Sequence, residues 1–177
     1  MVPVNTSRHG CAFTVSVDAK KTGTGVSAAD RAQTIKTLSN AKSTPADLVR
    51  PGHIFPLRAE WGGVLRRAGH TEAAADLCKL AQLQPIAVLA ELMNLDGTMM
   101  RLPILKEFAA KHAIPLIRIA DLIAWRLQRE HLVMREDAIH LPTECGEFTL
   151  IPYRNTMSGE VHLAIMKGNV GGKEKVL

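Results

Sequence analysis

Aromatic side chains are scarce in this chain, at 4% of its 177 residues. They form no strand of the kind that stacks bases and no zinc-finger spacing accompanies them, so a modular nucleic-acid reader is excluded as a first reading. Cysteine is equally thin. Cys11, Cys78 and Cys145 are odd in number, far apart and in no CxxC pair, which argues against a disulfide framework and for free thiols in a reducing compartment. Long hydrophobic runs are missing too. No stretch approaches the roughly 18 apolar residues of a membrane span, and the opening MVPVNTSRHG lacks the apolar region of a secretory signal. The expectation is a cytoplasmic protein with neither a membrane nor a nucleic-acid partner.

What is present suits a folded domain. A hydrophobic content of 46% supports one ordinary core, or one domain carrying a piece of a second. Lys and Arg number 22 against 17 Asp and Glu, a net charge of +5. The excess is spread along the chain, which suits small phosphorylated ligands better than a polyanionic surface, with plain solubility as the bland alternative.

CAFTVSVDA (11–19) alternates and is rich in β-branched residues, so it predicts a strand. Ser27 followed by Asp30 is a capping pattern opening a helix through about Leu38. Thr44-Pro45 opens a short helix through Val49. RPGHIFPLRA (50–59) sets His53 at a loop-to-strand junction, and WGGVLRRAG (61–69) is a glycine-rich connection. Thr71 then opens a helix in which Ala74, Leu77, Cys78 and Ala81 recur at helical spacing. The continuous apolar run PIAVLAELM (85–93) predicts a buried strand. After the NLDGTM turn come a helix from Pro103 to about His112, a strand PLIRI (115–119) and an amphipathic helix over 119–132. The alternation points to a layered α/β or α+β domain. Beyond about Arg135, EFTLIPYRN and EVHLAIMKGNV joined by TMSG predict a β-hairpin. The boundary therefore divides 1–135 from 136–177, the second part being too short for a core of its own.

Four places carry chemistry. The turn LRRAGH before the helix at Thr71 offers backbone N–H groups, a positive helix end, a guanidinium at Arg67 and close approach at Gly69, which together suit an anion; a capped helix with solvated arginines is an equal reading. His70 and His53 are a ligand or proton carrier only if they converge with other polar groups. Glu91 lies in a run that reads as buried, so it should be paired, metal-associated or at an open strand end. TGTGVSAADR (22–31) has the glycines, hydroxyls and helix start of a phosphate loop but not the spacing of a nucleotide-binding motif.

As a set, AFTVSVDA, TGVSAADRAQTI, RPGHIFPLRA, GGVLRRAGHTEAAADL, AEL followed by DGTM, and IADLIAWR resemble 3,4-dihydroxy-2-butanone 4-phosphate synthase over residues 1–135. LPTECGEFTLIPYRN and GEVHLAIMKGNV resemble the opening of a GTP cyclohydrolase II domain, and the two in this order resemble the bifunctional riboflavin-biosynthesis family. The resemblance implies an α+β fold, three-layer α/β/α with a mixed sheet, N-terminally truncated here and ending in a β-hairpin segment. It implies a lyase that converts D-ribulose 5-phosphate to L-3,4-dihydroxybutan-2-one 4-phosphate and formate, with magnesium or manganese, as a homodimer. Residue by residue it makes His53 and Glu91 catalytic. It makes Arg67, Ala68, Gly69, His70, Thr71 and Glu91 substrate-binding, and His70 a metal ligand.

The departures shape the functional expectation. The family's acidic loop, of the form R-E-N-E-G-D, has no counterpart here, and strands that the family's sheet would use are missing. The tail stops at KVL, before the zinc-binding cysteines of a cyclohydrolase. The chain is thus expected to be an internal fragment or truncated product with impaired lyase turnover and no GTP cyclohydrolase activity. The alternative is a non-catalytic remnant that binds sugar phosphates or dimerises.

Overall fold

A computed structural model describes residues 4–8 and 10–172, so the closing KVL lies outside the described residues. The chain divides into two units, Met1–Ile123 and Ala124–Leu177.

In the first unit, β1 (Val17–Ala19) pairs antiparallel with β2 (Leu48–Ile54), and the register shifts between Val17 and Asp18. The flanks run on in the same sense: Thr14 N donates to Pro56 O at 2.9 Å and Arg58 N to Ala12 O at 3.0 Å. The segment expected as one strand over 11–19 is therefore extended, but the bulge limits its regular part to three residues. Gly52 permits the bulge, since a Cβ there would stand 2.0 Å from the Val17 carbonyl carbon.

Helix α1 (Ala28–Ser39) starts where the capping pattern placed it, with Ser27 Oγ accepting from Asp30 N at 3.0 Å. Thr34, fully buried, fastens the helix to β1: its hydroxyl accepts from Ala19 N at 2.9 Å and donates to Asp30 O at 3.0 Å. The short helix expected from Thr44 is a single 3-10 turn, Pro45–Asp47, because Leu48 is already paired with Ala19 in the sheet. A second 3-10 turn, Gly63–Leu65, leads to α2 (His70–Leu80), whose N-cap is Gly69 and not Thr71. Helices α3 (Leu102–His112) and α4 (Ile119–Arg129) follow. Val64, Ala73 and Leu122 form the core cluster, with Ile119 and Ile123 packed against it.

Two expected strands are corrected. The segments 85–93 and 115–119 join no sheet among the described residues; the first makes only the Met93–Met99 bridge that closes the NLDGTM turn, and Ile119 of the second already opens α4. Val88 is 65% exposed and Ile117 56%. A continuous apolar run becomes a buried strand only when neighbours pair both edges and cover both faces, and no described strand pairs with either segment.

The second unit is an antiparallel sheet of β3 (Val133–Arg135), β4 (Ile139–Thr143), β5 (Gly146–Asn155) and β6 (Val161–Met166). The β5–β6 hairpin pairs Thr149 with Met166 and Arg154 with Val161, as the alternation and the TMSG turn predict. β3 and β4 were not foreseen; they share the other edge of β5. The α+β class stands, with antiparallel sheets and four helices among the described residues.

Candidate active site

The bulge in β2, residues 50–53, brings His53 to Asp18 of β1, whose carboxylate takes two hydrogen bonds from that one residue. Oδ1 accepts from His53 N at 2.9 Å, and Oδ2 lies 2.7 Å from His53 Nδ1. The Asp18 side chain is 9% exposed and that of His53 41%, so the acid is enclosed while the ring reaches solvent. The His53 backbone N–H, foremost, and its ring hold the Asp18 carboxyl below the usual range against the opposing effect of burial. An ionised acceptor on Nδ1 keeps the proton on that nitrogen and leaves Nε2 with a free lone pair.

Gly25 seals the pair from the other side. It is buried at φ +80°, and a Cβ on it would fall 2.1 Å from Asp18 Oδ2 and 2.8 Å from His53 Nδ1. Only a residue without a side chain fits this approach at positive φ. The TGTG loop is thus the back wall of the pair. Its amides are already engaged, Gly23 N with Asp30 Oδ1 at 3.4 Å and Gly25 N with Asp30 Oδ2 at 3.2 Å; an internal carboxylate sits where a phosphate loop would hold its ligand.

The LRRAGH turn is braced by two acids that sequence reasoning missed. Glu72, 1% exposed, accepts from Glu60 N at 3.1 Å and from Arg67 Nη1 at 2.9 Å. Asp76, 2% exposed, accepts from Val64 N at 2.8 Å. Arg67 Nη2 also approaches Cys11 Sγ at 3.5 Å, so the guanidinium expected to face a ligand has two of its donors on protein partners. The Glu72 carboxylate, foremost, raises the Arg67 pKa further above its usual value. Gly69 lies so close to this pair that a Cβ would stand 2.5 Å from both Arg67 Nη1 and Glu72 Oε2. Ala68 and His70 are exposed, and Gly69 and Thr71 half-buried.

His53 and Thr71 meet at a cavity of about 500 Å³, walled also by Ile35 and Leu38 of α1, Ala74 of α2 and Leu89 of the 85–93 segment. Arg67, Ala68, Gly69, His70 and Glu91 are not in this wall. Glu91 is exposed two residues beyond Leu89, which removes the premise that it must be paired. No group of three or more His, Cys, Asp or Glu able to hold a metal is assembled among the described residues. Magnesium takes mostly oxygen ligands, so an exposed His70 that belongs to no such group, with the nearby Glu72 carboxylate already engaged by Arg67, does not fit that ion.

A strand carboxylate orienting a half-exposed imidazole at a cavity, within an α+β domain, defines a site that can hold and move a proton. The chain belongs to the 3,4-dihydroxy-2-butanone 4-phosphate synthase family, which residues 1–125 match; residues 134–177 match GTP cyclohydrolase II. It is 52% identical over 179 aligned positions to the riboflavin biosynthesis protein RibBA of Cytophaga hutchinsonii, covering all of this chain and 44% of that protein. It is 53% identical to the RibBA of a Synechocystis species, covering 96% of this chain and 31% of that one. The chain thus spans less than half the length of these curated relatives. Among solved structures it is similar to RibBX, a two-domain 3,4-dihydroxy-2-butanone 4-phosphate synthase from A. baumannii, with TM-score 0.80, 45% identity and coverage of 94% of this chain and 50% of that one. A 3,4-dihydroxy-2-butanone 4-phosphate synthase crystallised with two magnesium ions is also similar, at TM-score 0.65 and 38% identity, covering 73% and 66%.

Proposed function

We propose that this chain carries the acid–base part of riboflavin biosynthesis in which D-ribulose 5-phosphate becomes L-3,4-dihydroxybutan-2-one 4-phosphate and formate. The observation that carries the proposal is the Asp18–His53 pair, whose His53 stands in the cavity wall. Forming an enediol from a ketose needs a base beside the carbon next to the carbonyl, and His53 Nε2 is the free nitrogen of an imidazole already oriented through Nδ1. Thr71 in the same wall and the start of α2 behind it supply neutral donors for the phosphate end of the sugar. Glu91, matched to the family's second catalytic position, would act only once its own side chain enters the cavity that residues 85–89 already wall.

The family's metal chemistry is a different matter, since the donors present around His70 do not fit magnesium. Turnover by this chain alone is therefore weak, with residues 1–135 as its synthase part and 136–177 as linker and cyclohydrolase-like part. Formate release from ribulose 5-phosphate with magnesium or manganese, assayed beside full-length RibBA, tests this. Loss of a metal's charge stabilisation corresponds to a rate at least about 100-fold lower for this chain. Equal rates would overturn the impairment. Calorimetric binding of ribulose 5-phosphate without formate would favour the reading as a sugar-phosphate-binding remnant, and absence of both would remove the proposal.

A further inference from the structure

The chain has a second concavity, of about 410 Å³, on the opposite side of α1 from His53. Ile35 and Leu38 face the first cavity, whereas Gln33, Lys36, Thr37 and Asn40, the i, i+3, i+4 and i+7 positions of one helical face, line the second. Lys20 and Lys21 enter from the turn after β1, and Lys42 and Ser43 from the loop after α1. The four lysines come from three chain segments, and named hydrogen bonds bring these together: Thr34 holds α1 to Ala19 at 2.9 Å, and Lys20 N donates to Asp47 O at 2.8 Å.

Charge makes this place unusual. Four lysines surround it with one aspartate, Asp47, a local excess of three within a chain whose net charge is +5. None of the four is in ion-pair contact with a carboxylate among the described residues. The Asp47 carboxylate is turned to Thr44, whose N and Oγ1 stand 2.8 and 3.0 Å away. Like charges gathered around a concavity repel one another unless an anion sits among them. The C-terminal dipole of α1 offsets only about half a charge of that excess.

We infer that this concavity is a binding site for a compact anion carrying two or more linked phosphates, distinct from the proposed lyase cavity. Ammonium groups bind phosphate as mobile point charges, and the Ser43 hydroxyl with the Gln33 and Asn40 side-chain amides supplies neutral donors between them, the Thr37 hydroxyl being already donated to Gln33 O at 3.0 Å. The wall holds no aromatic ring on which a base could stack and no apolar side chain larger than Ala19, so the phosphates and not an attached ring are what it recognises.

Sodium tripolyphosphate titrated into the full chain in a calorimeter at physiological salt tests the assignment. Saturable one-site binding is expected, weakened about tenfold or more in the Lys21→Glu/Lys36→Glu double variant, because reversing two charges converts attraction into repulsion. The Lys106→Glu/Lys111→Glu double variant, with the same change in net charge on exposed α3 positions, is expected to bind as the parent does. Circular dichroism establishes that both variants are folded. No saturable binding, equal loss in both variants, or tighter binding of a single-stranded oligonucleotide than of tripolyphosphate would each overturn the inference.

Discussion

Asp18 reaches His53 because four residues of β2, 50–53, bulge out between the partners of Asp18 and Val17, and the functional meaning of both residues hangs on that local irregularity. His53 was legible in the sequence as the histidine of RPGH; Asp18 was one acid within an apolar alternation, and only the pairing of β1 with β2 revealed its partner. Removing the charge while keeping the shape isolates its role as a positioning residue. In Asp18→Asn the amide no longer compels a proton on Nδ1. Long-range nitrogen–proton NMR of the His53 ring should then move from the Nδ1–H tautomer toward a mixture, while any formate turnover falls about 100-fold or more. An unchanged tautomer would show that Asp18 does not orient the ring. Glu72 and Asp76 teach the same lesson: two acids four residues apart on α2 look like a solvated pair, yet they are 1% and 2% exposed and brace the turns before the helix.

Elements with their own end signals were legible. α1 begins after Ser27, α3 ends at His112 and β5–β6 forms the expected hairpin, since a capping hydroxyl, a helical period or a tight turn acts within a few residues. The runs 85–93 and 115–119 failed as strands because their signal concerns neighbours. Their apolar side chains, with Ile86, Leu89 and Leu92 each more than 40% exposed, present an apolar surface of the kind that recruits another chain. Concentration-dependent association by sedimentation velocity is the expected consequence. Val88→Lys, at a 65% exposed position, should reduce it by placing a charge in that apolar surface. Monodisperse behaviour of the parent across the concentration series would show the surface to be inert.

Over the whole molecule, acid response follows from carboxylates held in their charged form. Asp18 through the His53 backbone N–H, Asp47 through that of Thr44, Asp96 through the Thr98 hydroxyl and Asp121 through Arg118 all have lowered pKa values. A folded pKa below the unfolded one contributes stability that is full above the unfolded value and disappears as pH falls through the folded value. The thermal midpoint should therefore stay level down to about pH 5 and decline below about pH 4; a decline that begins near neutrality would implicate other groups. The sequence by itself determined the family, the α+β class and the helices with caps, and it named His53, His70 and Glu91 as candidates, because those rest on residue order and local periodicity. Tertiary structure decided which of them meet. It put His53 against Asp18, engaged Arg67 with Glu72, left Glu91 in solvent and gathered four scattered lysines around one concavity. Convergence depends on contacts between residues distant along the chain, and no local pattern records those.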